Sequence, residues 1–555
     1  MVCLFNSYLR DAMRAAFVKN LLWLQLLNWL VKPLWILWIE REIQLRMGDA
    51  WYGVYTLHFN LVLLFAVLLD AGLNSYVSRE IAAHGRLAHP KRMFFLRLGL
   101  GIVYVILILL VAQVQSGIQG QFLLYALLNQ VLASVVLMLR SVLQGKQRFV
   151  SDSWLSVMDR IVALAICTWM LRVYTTDMFA SEGGVLMFQL AQFFGYSMAL
   201  LVGLVLVFWG GKSALETVPS VEESDLSSTV RTRGVSQKNP PSKSIGDWSK
   251  EVVWFGVMAL AMSLFTRIDV QMIQRYAGSA LSDLPGVDGL KLVAEAGYRE
   301  IGVYAKGYRL LDAALIFSTL LSTQLLPLLS RRLSAGEDNH AVLGLGFRLV
   351  FMVSVGVASA AWFYGDFLMN WLYHGQMQLG AVTEAGGVEV LRTMVYAPEI
   401  MNVSMIFKVL MLAFIPMTLV HVFGTYVTAA GQMRWLAQLA LLCVVINVAF
   451  NYFEIPKAGA LAAAVGCLLT QWVFAFSCIW KTHRMGGYVW NWKQADGVFL
   501  TILGGIFCFG LVKLGIQLEG FLGLMIAGVA YVIAVGFYLF HDEFKARFIE
   551  KKSSV

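Results

Sequence analysis

The stretch GDAWYGVYTLHFNLVLLFAVLLDAGLNSYVSREIA, residues 48–82, decides the fold of this chain. Gly53-Val54-Tyr55 stands near its start, an apolar run follows, and Ser78-Arg79-Glu80 stands near its end. About 20 apolar residues suffice for a helix to cross the hydrocarbon core of a bilayer. The second half repeats this order, from Gly302-Val303-Tyr304 through a similar run to Ser330-Arg331-Arg332. The repeat predicts two related membrane units in parallel orientation, with a binding site expected at their interface.

The composition of the whole chain agrees with many membrane spans. Hydrophobic residues make up 59% of the 555 residues and charged residues only 14%, whereas soluble domains contain about 45–50% and about 25%. The net charge of +9 would suit nucleic acid, but binding nucleic acid requires a basic face or arm, which the sequence lacks. The six cysteines show neither metal-ligand spacing nor a disulfide framework. A soluble multidomain enzyme is therefore excluded.

The apolar runs predict an all-α polytopic membrane protein of about 14 transmembrane helices, with two six-helix lobes in parallel repeat and two further C-terminal helices. Residues 211–250 interrupt these runs, since they are rich in Ser, Lys and Pro. That composition is typical of a disordered linker. The predicted units are an N-terminal interfacial segment (1–19), a first lobe (20–210), a cytoplasmic linker (211–250), a second lobe (251–481), and two helices with a cytoplasmic tail (482–555).

The distribution of Lys and Arg predicts the orientation of the chain. With a cytoplasmic N-terminus, the loops on that side carry roughly three times as many of these residues as the opposite loops. Cytoplasmic loops of membrane proteins show such an excess. Both termini are therefore expected in the cytoplasm, which requires an even number of spans.

Four segments, taken in order, resemble a known family. They are the stretch 48–82, TRIDVQMIQRYAG (266–278), IGVYAKGYRLLDA (301–313) and INVAFNYFEIPKAGALAAAVGCLLTQ (446–471). Together they resemble the polysaccharide-biosynthesis flippases of the MOP (MATE-like) superfamily, which move lipid-linked oligosaccharides of O-antigen, capsule and exopolysaccharide pathways. The resemblance covers residues 1–485, and the last two helices are similar to the extra pair of the fourteen-span branches.

The resemblance implies a flippase of the bacterial cytoplasmic (inner) membrane that carries an undecaprenyl-pyrophosphate-linked oligosaccharide outward by alternating access. The implied partners are this polyprenyl-pyrophosphate-linked glycan, the lipid bilayer, a coupling proton or sodium ion and a polysaccharide polymerase. A cation-coupled multidrug exporter of the same superfamily and a lipid II flippase are the alternatives within transport. A membrane-bound glycosyltransferase or ligase that acts on the same lipid is the alternative among enzymes, although it would require larger outer loops with catalytic acids or clusters of Arg and His.

Charged side chains at membrane depth are the candidate site residues, because each costs roughly 2.5–3.5 kcal/mol on insertion scales. Five cations are expected to line one water-filled cavity and to bind the pyrophosphate: Lys32, Arg267, Lys306, Arg309 and Lys408. Lys306 and Arg309 share one helix face because of their spacing. The structural alternative is local pairing, of Arg267 with Asp269 and of Arg309 with Asp312. Asp269 and Asp312 are also candidates for tuning the arginines or for binding a coupling ion.

The sequence contains no catalytic motif. Gly211-Lys212-Ser213 ends like a phosphate-binding loop, but Leu206 stands where the first glycine of that loop is required. We predict no catalytic residue, no metal site and no cofactor, and the chain is interpreted as a transporter rather than an enzyme.

Overall fold

The structure is a computed structural model that describes residues 28–553, apart from 29, 32, 71, 85–89, 116, 147, 209–244, 278–288, 378–398 and 489–491. The described residues form helices and contain no strand. The first lobe holds a π-helical turn, Trp35–Glu40, and the helices α1 Arg41–Leu64, α2 Val67–Asp70, α3 Leu73–His84, α4 Pro90–Val114, α5 Gly120–Gly145, α6 Phe149–Val173, α7 Thr176–Phe179 and α8 Glu182–Phe208. The rest comprises α9 Ile245–Tyr276, α10 Gly289–Ser334, α11 His340–Met377, α12 Glu399–Ala429, α13 Met433–Arg484, α14 Trp492–Gly510, a π-helical turn Leu511–Gly515 and α15 Gly520–Ser553.

Ten helices of the described residues are long and apolar enough to cross a membrane. Two helices contain a break that separates successive spans: α1 turns at Gly48, where φ is +74°, and α13 turns at Gly459, where φ is +53°. Glycine suits both positions because side chains disfavour a positive φ. Dividing α13 at Gly459 and adding the shorter apolar helix Gly520–Gly536 gives twelve spans. The two segments that meet at Gly48 precede these twelve, so the described residues are consistent with the predicted fourteen. The predicted all-α fold of two six-helix lobes with two added helices is confirmed.

The two C-terminal helices pack on the outside of the second lobe, against α11. The Tyr531 hydroxyl donates to the carbonyl of Met352 at 2.8 Å, and the Tyr364 hydroxyl donates to that of Leu518 at 3.1 Å. A Cβ atom on Gly505 would lie only 2.5 Å from Oγ of Ser359. The absence of a side chain at Gly505 therefore lets α14 approach α11 closely.

The two copies of the repeated tripeptide cross each other at the contact between the lobes. A Cβ atom on Gly53 of α1 would overlap the carbonyl of Tyr298 in α10, and a Cβ atom on Gly302 would overlap that of Asp49. Asp49 and Tyr298 each precede their glycine by four residues, so the contact is reciprocal. The glycines let the two backbones touch, as small residues do between membrane helices. This crossing lies at the end of the molecule where residues 41–50 join the first two spans, which we name the closed end.

The predicted disordered linker, residues 211–250, overlaps the start of helix α9. Helix α9 begins at Ile245, so the last six residues of the predicted linker are helical in the structure. The remaining residues of the predicted linker, 211–244, lie outside the described part of the chain, as does the interfacial segment 1–19. Gly246-Asp247-Trp248-Ser249-Lys250 continues directly into the apolar part of α9. An apolar helix that is already formed extends into such a polar segment at little cost, because adding one residue adds one hydrogen bond.

Candidate functional site at the contact between the lobes

The first span ends in a π-helical turn that places an acid at the contact between the lobes. This turn, Trp35–Glu40, follows Pro33 closely. Single π-helical turns shift the helix face that later residues present, and they occur often at functional sites. Glu40 closes the turn, is only 5% exposed, and accepts a hydrogen bond from the Tyr52 hydroxyl at 2.9 Å.

Arg309 of α10 is bound by acids from both lobes. Its Nε lies 2.9 Å from Oε1 of Glu40, and its Nη1 lies 3.6 Å from Oδ2 of Asp312 on its own helix. The guanidinium group also lies over the ring of Phe59, 5.4 Å from its centre. The pairing of Arg309 with Asp312, which the sequence offered as the alternative to a binding role, is therefore present. The shorter bond goes to the opposite lobe.

Lys306, one helical turn before Arg309, is paired in the same way. Its Nζ lies 2.7 Å from Oδ1 of Asp49 in the first lobe and 5.3 Å from the ring centre of Tyr373. Lys306 is 3% exposed. A buried ammonium group needs a counter-charge because its desolvation is costly. Asp49 supplies that charge from the connection between the first two spans.

Arg267 of α9 completes the group of cations at this contact. Its Nη1 donates to Oδ1 of Asn60 in the first lobe at 3.0 Å. Arg267, Arg309 and Asp312 line a small cavity together with Thr56, Asn60, Tyr304 and Tyr308. The space that admits water there is about 20 Å³, roughly enough for one molecule. The cations thus meet between the lobes, in a cavity that is nearly filled in this conformation.

Asp269 lies in the second lobe and has neutral partners. It is 1% exposed and accepts hydrogen bonds from the Tyr304 hydroxyl at 3.2 Å and from Nδ2 of Asn451 at 2.8 Å. Asn451 also donates to Oδ1 of Asn447 at 3.0 Å. Arg267 donates to Asn60 of the other lobe. The structure therefore does not show the Arg267–Asp269 pair that was the structural alternative. Asp269 and Asp312 therefore differ in their partners: Asp312 contacts an arginine, whereas Asp269 accepts hydrogen bonds from neutral side chains.

Of the other two predicted cations, one pairs elsewhere and one is not among the described residues. Lys408 of α12 pairs within the second lobe, with Oδ2 of Asp366 in α11 at 2.7 Å. Lys32 lies outside the described residues. Arg267, Lys306 and Arg309 are the predicted cations that the structure brings to the contact between the lobes.

Neutral hydrogen bonds between the lobes surround these ion pairs. The Gln44 side chain donates to the carbonyl of Gly302 at 2.9 Å, and that of Gln271 donates to the carbonyl of Leu57 at 3.1 Å. The Tyr298 hydroxyl donates to the carbonyl of Gly117 at 2.6 Å. These bonds, the ion pairs and the glycine crossing hold the lobes together at the closed end.

Sequence reasoning missed the acids that hold the cations, Glu40, Asp49 and Asp366. Each lies on a different helix from its cation, so no spacing rule along one helix could reveal the pair. One signal was available for Asp49, which precedes the repeated tripeptide in the same position as Tyr298 precedes the second copy.

Solved structures with a similar fold are membrane transporters. A lipid II flippase, MurJ, in an inward closed conformation shares 11% identity and a TM-score of 0.56, over 96% of this chain and all of that chain. A MATE protein in complex with MaL6 and a MOP superfamily transporter from Pyrococcus furiosus each share 13% identity and a TM-score of 0.51, over 84% of this chain and 96% of theirs. The fold of this chain is thus similar to the folds of these transporters.

The sequence model of the polysaccharide biosynthesis protein family matches residues 17–333, more than half of the chain. The chain therefore belongs to the polysaccharide biosynthesis protein family. A search of curated proteins finds no match to the sequence.

Proposed function

We propose that this protein is a flippase that carries an undecaprenyl-pyrophosphate-linked oligosaccharide from the cytoplasmic to the outer leaflet of the bacterial inner membrane. The observation that carries the proposal is that Arg267, Lys306 and Arg309, which belong to two candidate membrane spans, meet between the two lobes. Membership of a polysaccharide biosynthesis family supports a glycan as cargo. A pyrophosphate diester carries two negative charges, and moving it unaided through hydrocarbon would meet a large desolvation cost.

The mechanism follows from where the cations lie. When the lobes separate at the closed end, the side chains of Lys306 and Arg309 move away from the first lobe and face the opening. There they replace the hydration of the pyrophosphate, while the polyprenyl tail remains in the bilayer beside the lobes. A cationic drug would be repelled by the same group, which disfavours the multidrug exporter.

The decisive experiment measures translocation of a defined lipid. Purified protein reconstituted into liposomes should expose an undecaprenyl-pyrophosphate-linked glycan to an enzyme added outside, at a rate proportional to the amount of protein. Liposomes without protein are the control. Efflux of a cationic dye without movement of the glycan would instead support the exporter.

The orientation is testable at the predicted linker. A cysteine introduced at Ser227 is expected to react with a membrane-impermeant thiol reagent only after the cytoplasmic side is opened, because the excess of Lys and Arg places this segment inside. Five native cysteines are buried, so their background should be low, and the protein without the new cysteine measures it. Labelling of residue 227 in intact cells would contradict the topology.

Asp269 is our candidate for binding the coupling ion. The Asp269 carboxylate is 1% exposed and accepts hydrogen bonds from neutral donors, and no cation balances its charge among the described residues. A proton or Na⁺ would supply the missing positive charge. Asp269→Asn should therefore abolish the dependence of transport on the ion gradient. Asp366→Asn, which removes an acid paired with a lysine, is the matched control. Unchanged ion dependence in Asp269→Asn would leave only a structural role.

A further inference from the structure

Two ion pairs join the lobes in the closed conformation. The second lobe contributes the cations Arg267, Lys306 and Arg309 and the acid Asp312, whereas the first lobe contributes the acids Glu40 and Asp49. The first-lobe acids make the two shortest ion pairs, at 2.9 Å and 2.7 Å.

Separation of the lobes divides these charges unequally. Glu40 and Asp49 move with the first lobe, so Lys306 and Arg309 lose two negative charges when the lobes separate. Asp312 stays with Arg309 because both lie on α10. A headgroup with two negative charges restores the balance, whereas a headgroup with one leaves a cation unpaired.

We propose that Glu40 and Asp49 are built-in anions that occupy the pyrophosphate-binding positions on Arg309 and Lys306 whenever the lobes are closed at this end. This inference rests on the proposed function. The headgroup and the two carboxylates compete for the same cations, so the headgroup must displace both acids to bind. Closure returns the acids to the cations and expels the headgroup. Glu40 and Asp49 thus select for a doubly charged lipid and drive its release.

The geometry around Glu40 supports its role as a removable anion. The Arg309 Nε contacts Glu40 Oε1 directly, and Tyr52 holds the same oxygen at 2.9 Å. Tyr52 belongs to the first lobe, so it keeps the carboxylate oriented after Arg309 departs. Lys306 is buried behind Tyr373 and faces the Asp49 carboxylate, which is itself 22% exposed. Both acids therefore sit where a phosphate group could replace them.

The test compares two lipids and isosteric variants of the purified full-length protein. Binding is measured for an undecaprenyl-pyrophosphate-linked sugar, whose diester carries two negative charges, and for an undecaprenyl-monophosphate-linked sugar, whose diester carries one. Both lipids are tested on the wild type, Glu40→Gln, Asp49→Asn and the double variant. The matched control is Glu42→Gln, because Glu42 pairs with Arg46 within the first lobe. Glu40→Asp keeps the charge and should behave like the wild type. Export of glycan in cells is measured for the same set.

We expect the wild type to prefer the pyrophosphate lipid by about tenfold or more, equivalent to one lost ionic contact. Removing either acid should tighten binding of both lipids, most for the monophosphate, while export falls because release slows. Weaker or unchanged binding in Glu40→Gln and Asp49→Asn would overturn the inference, since a purely structural role lowers binding and export together. If neither lipid binds any variant or the wild type, the proposed substrate itself is wrong.

Discussion

Alanine at Arg309 is expected to lower glycan export about tenfold or more while the protein remains folded and inserted. Each hydrogen bond to a charged group contributes roughly 1.5–3 kcal/mol, and a loss of that size weakens binding by about tenfold or more. Alanine at Arg267 or Lys306 should act in the same direction. Lysine at Arg309 should restore part of the export, because it returns the charge but lacks the planar fork of the guanidinium group. Glutamate should be worse than alanine, since it adds repulsion.

The measurement is export complementation, normalised to the amount of protein in the membrane. Lys457→Ala is the control, because Lys457 is exposed and pairs locally with Glu454 at 2.8 Å. If Arg309 has only a structural role, removing Asp312 or Glu40 together with it should restore export by eliminating an unpaired acid. Full export by a variant with glutamine at Lys32, Arg267, Lys306, Arg309 and Lys408 would refute the cationic site.

Alanine at Gly53 or Gly302 should abolish closure of the lobes at the closed end. The new methyl group would overlap a backbone carbonyl of the opposite helix, and a backbone cannot move aside as a flexible side chain can. The two helices must separate, which also pulls Lys306 and Arg309 from their first-lobe acids. Export should fall about as far as in the cation variants, because a buried charge left without its partner costs roughly 3–5 kcal/mol in the closed state.

Crosslinking measures this closure directly. Cysteines replacing Gln115 and Gln271, whose side chain and carbonyl lie 3.1 Å apart across the lobes, should crosslink in the parent and much less after Gly53→Ala or Gly302→Ala. Gly101→Ala is the matched control, because a Cβ atom at Gly101 meets nothing within 4 Å. Equal crosslinking in all variants would show that the crossing does not limit closure.

The sequence by itself determined the number and class of the membrane helices. The length of each apolar run is a local property, and a helix in lipid satisfies its backbone hydrogen bonds within the same run. The repeat of Gly53-Val54-Tyr55 as Gly302-Val303-Tyr304 likewise predicted two related lobes. The costly intramembrane charges indicated Arg267, Lys306 and Arg309 as functional candidates.

Only the tertiary structure decided what these charges contact. Asp49 and Lys306 are separated by 257 positions, and no periodicity along the chain links residues so far apart. Their pairing depends on how α1 crosses α10. Gly53 and Gly302 permit this close crossing because neither residue has a side chain. The sequence predicted an open cationic cavity because it reveals the cations but not which acids other helices bring beside them. Packing of the two lobes brings those acids within 3 Å of Lys306 and Arg309, because a buried cation is stable only beside a counter-charge.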